Sequence, residues 1–144
     1  MKLEMVDTRV QGRAIFPGFN HDGNFRFRTW TDYTTRGTVW FAIRRAGKDL
    51  VRVEVDEQSF VGSGYGVRAP QEGFVEIRMF EVAATAHRGG LGLHAVGLLR
   101  ELYRDRPVCA LSSVRGFWDA AGGIRHEHPE GSRYDAFFTF EAVD

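Results

Sequence analysis

Scarce cysteine, balanced charge and the absence of any long apolar run set the first limits. The single cysteine, Cys109, excludes an intramolecular disulfide. Its place in the apolar run VCALSSV makes a buried, inert thiol the favoured reading. Nineteen Lys and Arg balance nineteen Asp and Glu, for a formal net charge of zero. Nucleic-acid binders usually carry a basic excess, so that class loses ground. No apolar stretch approaches membrane-spanning length, and no membrane partner is expected. MKLEMVDTRV has no apolar core of signal-peptide length, so the expected location is the cytoplasm. No repeat, low-complexity tract or composition break divides the 144 residues, which are read as one domain, residues 1–144.

What is present points to a folded α/β protein: 43% hydrophobic residues and 12 phenylalanines. The first third is β-rich, with a turn signal at Asp22-Gly23-Asn24. The clearest hairpin pairs Thr38–Arg44 with Leu50–Val55 across AGKD. Val51, Val53 and Val55 alternate with Arg52 and Glu54, which predicts one buried and one wet face. VGSGYGVRAPQEG is a loop by composition. FVEIRMFEVAA, residues 74–84, is a long strand, and a helix follows from about Gly90 to Tyr103. Leu91, Ala95, Leu98, Leu99 and Leu102 share its apolar face. A short strand (VCALSSV), a short helix (GFWDAAGG) and a final strand (YDAFFTFEA) complete the chain. The strand–helix–strand unit predicts a crossover between two parallel strands.

Between the long strand and its helix lies AHRGGLG, residues 86–92. A helix N-terminus offers unpaired amides and a partial positive charge, so glycines there suit close approach of a phosphate. His87 and Arg88 add donors. The Lys-Ser/Thr ending of a Walker A loop is missing, as are the third glycine and the later acidic residue of a dinucleotide fingerprint.

HRGGLG, with Gly90 and Gly92 in its two glycine positions, resembles the Arg/Gln-x-x-Gly-x-Gly/Ala turn of the GNAT acetyltransferase superfamily. SSVRGFWDAAGG resembles that family's next strand and short helix, and YDAFFTFEA stands where its closing strand belongs. The match covers roughly residues 74–141. The sequence departs from the pattern in three places: His87 replaces Arg or Gln, Gly123 replaces an aromatic, and Trp118 stands at the position of the usual tyrosine acid. The resemblance implies a mixed, mostly antiparallel twisted sheet flanked by helices, with a splayed parallel pair of strands at 74–84 and 108–114. Residues 1–66 would form a β-rich acceptor-side half and 67–144 the coenzyme-binding half.

The implied activity is transfer of an acetyl group from acetyl-coenzyme A to a primary amine of a small molecule or protein by direct attack. Implied coenzyme contacts are Val82, Ala84, His87, Arg88, Gly89, Gly90, Leu91, Gly92, Ser113 and Trp118. Glu76 and Glu81 are the candidate general bases. Five positions apart, they would face opposite sides of a regular strand, and Glu76, upstream of the coenzyme segment, is preferred. Tyr134 or Ser113 could replace the missing tyrosine acid, or water could protonate the thiolate. A ping-pong route through Cys109 is set aside for want of a nearby histidine in sequence.

RHEHPE matches no zinc signature and reads as a polar strand end and loop. Phe25, Phe27, Trp30, Tyr33 and Trp40 are core or pocket-lining candidates. Two rivals to the transferase reading stay open: a catalytically degenerate acyl-coenzyme A-binding or interaction module, and a modifier of macromolecules using a patch of Arg26, Arg28, Arg36, Arg44 and Arg45. The acceptor and a homodimeric assembly are also left open.

Overall fold

The computed structural model describes residues 4–7, 9–10, 13–14, 25, 38–87 and 89–143. In chain order these form β1 (Glu4–Asp7), β2 (Arg9–Val10), β3 (Arg13–Ala14), β4 (Thr38–Arg45), β5 (Lys48–Ser59), β6 (Phe74–Val82), α1 (Leu91–Leu102), β7 (Val108–Ser112), α2 (Arg115–Ala120), β8 (Ile124–His126) and β9 (Ala136–Phe140). Short 3-10 turns occupy Val61–Tyr65 and Ala84–Ala86. Seven strands make one sheet in the order β1-β4-β5-β6-β7-β9-β8, and β2 pairs with β3. Among the described residues no helix is long and apolar enough to cross a membrane. The Asp22–Asn24 turn, Phe27, Trp30, Tyr33, Arg26, Arg28 and Arg36 lie outside the described residues.

The β4–β5 hairpin closes through Ala46 and Gly47, both at positive φ (53° and 76°). Two such residues build the tight turn whose twist matches antiparallel strands, so pairing runs to Arg45–Lys48. The expected wet face of β5 is overturned: Arg52 and Glu54 are as buried as the valines between them. β5 is an interior strand, and both its faces are covered. On one face Val51, Val53 and Val55 pack under α1. On the other the Arg52 guanidinium lies 3.6 Å from the Phe25 ring centroid, and the Thr38 hydroxyl donates to Glu54 at 3.1 Å. Buried charge persists where it is partnered.

α1 covers the first face with Leu91, Ala95, Val96 and Leu99, each large side chain contributing about 1.5–3 kcal/mol by leaving water. Leu102, expected on this face, is 52% exposed, and Val96 takes the buried place. Arg44, one of the proposed patch residues, pairs with Asp49 at 2.6 Å.

β6 is antiparallel to β5 and parallel to β7. Its register to β5 slips at two points, between Asp56 and Ser59 and, nearer the groove, where Glu54 faces Met79 while the next residue, Val55, faces Ile77. Arg78 is therefore an extra residue, a bulge that reverses the in–out alternation. Glu76 faces Asp56 and Glu81 faces Arg52, and positions 52 and 56 share a side of β5. The two glutamates thus lie on one face, contrary to the parity expected of a regular strand.

Candidate active-site groove

The parallel pairing of β6 and β7 ends at Ile77–Ala110, although β6 continues to Val82 and β7 to Ser112. Between the diverging ends lies a groove of about 860 Å³, walled by the last residues of β6, by Leu111–Val114, by the first turn of α1 and by the rings of Phe117 and Trp118. The Ala83 amide donates to the Leu50 carbonyl at 2.8 Å, which makes Val51–Val82 a non-hydrogen-bonded pair. By the alternation of an antiparallel ladder, Phe80 and Val82 turn their N–H and C=O groups away from β5, toward the groove. One of these is partnered: the exposed His87 ring donates from Nε2 to the Val82 carbonyl at 3.0 Å.

The turn beyond β6 delivers α1 to the mouth of the groove. Gly90 sits at its N-cap in the left-handed region, φ 72°, where a Cβ is disfavoured. No side chain caps the helix and its first turn holds no acidic residue. The first intrahelical bond there runs from the His94 amide to the Gly90 carbonyl, so the amides of Leu91, Gly92 and Leu93 precede the helical ladder. Gly92 is required by packing: a Cβ there would stand 2.7 Å from a Phe117 ring carbon. Phe117 in turn touches Trp118 and Phe80, with ring centroids 4.9 and 5.6 Å apart.

Of the residues singled out in the sequence, Glu81, Val82, Ala84, His87, Gly90, Leu91, Gly92, Ser113 and Trp118 line this groove. Gly89 is exposed beside it, and Arg88 lies outside the described residues. Trp118 is a core residue as well as a wall, 4% exposed and packed on Phe138 and Phe140. Tyr134 is not in the groove, contrary to its place among the catalytic candidates. Its ring stacks on His128 at 4.1 Å and its hydroxyl accepts from Arg133, while its neighbour Asp135 reaches the groove.

Glu76 is not a lining residue either. It precedes Ile77, at the last paired rungs, on the face opposite α1. It is 9% exposed and accepts a hydrogen bond from the Ser59 hydroxyl at 2.9 Å. Burial pushes its carboxyl above the usual range, Ser59 pulling it back and Asp56 adding to the rise. Across the parallel pair, Cys109 is fully buried and its thiol is held far above the ordinary value by burial, with Glu76 and Asp56 adding to it. That thiol is no nucleophile at neutral pH.

The histidines of RHEHPE serve packing: His126 shares a hydrogen bond with the Thr139 hydroxyl, and His128 stacks as described. Among the described residues no group of His, Cys, Asp and Glu could hold a metal. The stretch Phe80–Ala84, which the family resemblance assigns to the coenzyme arm, includes the wall residue Phe80. Sequence reasoning missed Leu111 as a wall, its signal being only that it follows the end of a parallel pairing.

No family model matches this sequence, and no curated protein matches it. Solved structures do. An N-acetyltransferase, YlbP of Bacillus subtilis, in complex with coenzyme A, superimposes with a TM-score of 0.55 at 14% identity, over 78% of this chain and 71% of that one. A structure described as histone acetyltransferase HPA2 and related acetyltransferase, from Corynebacterium glutamicum, gives 0.52 at 11% identity, over 76% and 66%. The GNAT domain of S. lividans PAT gives 0.52 at 18% identity, over 76% and 64%. This chain spans about two thirds of the length of those structures. The class is an α/β domain whose parallel strands splay around a groove closed by a helix N-terminus. Its fold is that of the GNAT acetyltransferases.

Proposed function

We propose that this protein transfers an acetyl group from acetyl-coenzyme A to a primary amine by direct attack. One observation carries the reading: beyond its pairing with β7, β6 turns the backbone groups of Phe80 and Val82 toward the groove that the first turn of α1 also lines. An extended arm ending in a pyrophosphate needs that combination. The arm pairs with Phe80 and Val82 as an added strand would, and the pyrophosphate rests on the amides of residues 90–93.

In this scheme the amine nitrogen attacks the thioester carbonyl carbon. The C–N bond forms, the C–S bond breaks, and coenzyme A leaves as a thiolate that takes a proton from water, its thiol pKa being about 8.5. With Trp118 at the usual acid position and Tyr134 facing elsewhere, no side-chain acid is assigned. The proton lost by the amine passes through water to Glu76. Burial raises the proton affinity of this carboxylate, the direction that suits a group taking up a proton. Glu81, nearer the coenzyme segment, lines the groove itself.

A second reading, a coenzyme-binding module without turnover, is favoured by Trp118 and by the outward placement of Tyr134. Calorimetric titration with acetyl-coenzyme A, with Gly90→Asp as control, tests the site. The space beside Gly90 is open, since a Cβ there meets nothing within 4 Å, and Asp tolerates left-handed backbone better than most residues. Its carboxylate therefore enters the phosphate position at a backbone cost of about 1–2 kcal/mol, and the fold of the variant is verified before titration. Micromolar binding lost about 100-fold or more in the variant, a change of about 2.7 kcal/mol, is the expected result. Equal affinity of the two folded proteins would remove the site. Turnover across a panel of primary amines then separates transferase from module.

A further inference from the structure

Ser59 closes β5 in the segment EQSFVG, just before the loop that composition marks from Val61. In the fold it faces Phe74 across the ladder and is 4% exposed. Its backbone is gripped from below, because a Cβ on Gly73 would stand 3.0 Å from both its amide nitrogen and its carbonyl oxygen. The Val61 amide donates to Ser59 Oγ at 3.3 Å, and Oγ donates in turn to Glu76 Oε1 at 2.9 Å. The incoming amide proton occupies one side of the hydroxyl oxygen, so the hydroxyl's own proton is directed at the carboxylate. Oε1 is anchored, and Oε2 is the oxygen left for a substrate or a bridging water.

We propose that Ser59 is a positioning residue for the general base, its hydroxyl holding the Glu76 carboxylate in one orientation. The inference rests on Glu76 being the base, as assigned above. A hydrogen bond to a carboxylate lowers its proton affinity, and Ser59 opposes the rise caused by burial. The other groups acting on Glu76 are Asp56 and Glu54 from β5, Arg78 from β6, and the Cys109 thiol from β7. The turn Val61–Tyr65 brings one titratable side chain to this face, Tyr65, whose hydroxyl is committed to the Asp135 carbonyl. None of these donates a hydrogen bond to Glu76, so Ser59 is the group whose removal isolates the effect.

The test has two arms on the full chain. In the first, the Glu76 carboxyl is titrated by carbon NMR in protein labelled at glutamate, with Glu76→Gln assigning the signal. Ser59→Ala is expected to move the midpoint upward by about 0.5–1 pH unit, and Ser59→Thr, which keeps the hydroxyl, to restore it. Ser59→Cys, near in volume and a weak donor, serves if the alanine variant does not fold. An unmoved midpoint in a folded variant overturns the proposal.

The second arm is the pH profile of kcat/KM with acetyl-coenzyme A and the best amine of the panel. Ser59→Ala should shift the acidic limb upward by the same amount and lower kcat about tenfold, with KM for acetyl-coenzyme A unchanged. A shifted midpoint with full kcat in Glu76→Gln would remove Glu76 as base while leaving the Ser59–Glu76 coupling intact. Loss of kcat in Glu76→Gln with no shift in Ser59→Ala would keep the base and remove Ser59.

Discussion

β6 divides at Arg78 into two halves that share a strand and little else. Phe74–Ile77 runs between β5 and, from Val75, β7, and is buried on both faces. Met79–Val82 keeps β5, lies beyond the last rung shared with β7 and is only partly buried. The first half does structural work and holds one carboxyl, Glu76, whose proton affinity is set by enclosure. The second half offers its backbone to the groove. The comparison teaches that a binding edge here comes from a neighbour leaving, and that the same strand must be firmly held upstream for the departure to be well defined.

The largest expected effect falls on the second half. Trp118 packs between Phe80, Phe117, Phe138 and Phe140, so Trp118→Ala should lower stability by about 3–5 kcal/mol, read from the denaturant midpoint. If the loss is under about 1 kcal/mol, the groove half is not held by this cluster. Next comes a pair of glycines, one beside each half. A Cβ at Gly92 would meet Phe117 at 2.7 Å, and one at Gly62 would meet Phe137 at 2.5 Å. Each alanine variant should cost about 1–3 kcal/mol through overpacking. Only Gly92→Ala should also weaken acetyl-coenzyme A binding by calorimetry. Equal affinities in the two variants would erase the functional distinction between the halves.

The smallest effect concerns pH. Because burial raises the Glu76 carboxyl above its unfolded value near 4.3, the folded state binds more protons over that interval. Stability must then fall as pH rises from the ordinary carboxylate value through the raised one, and level off above it. Glu76→Gln should flatten that part of the profile, measured as the unfolding midpoint across pH. A retained slope would assign it to another group.

Much of this was readable in the residues. The period of α1, the glycines before it and, β8 apart, the order of strands and helices in residues 74–140 follow from local pattern and turn chemistry, whereas the splaying of the parallel pair was implied by the family resemblance. The bulge follows from neither. IRMFE contains no glycine or proline to mark an extra residue, so the two glutamates were assigned opposite faces. Tyr134 looked available because its stacking on His128 joins residues of a loop with no periodic signal. Arg52 and Glu54 read as solvent-facing because alternation records polarity, whereas burial depends on what lies over the strand. Leu102 fits the apolar stripe of α1 and is exposed because the helix ends there, past the edge of what it covers.

The sequence by itself determined where the chain turns and where its helices begin. Those choices rest on φ, on capping and on spacing within a few residues, at the Ala46–Gly47 turn and at Gly90. Tertiary structure alone decided which side of β6 each carboxylate faces, how far β7 accompanies it, and that Ser59 meets Glu76. Each of these depends on register between strands distant in sequence, and one added residue in a ladder moves every side chain beyond it to the other face.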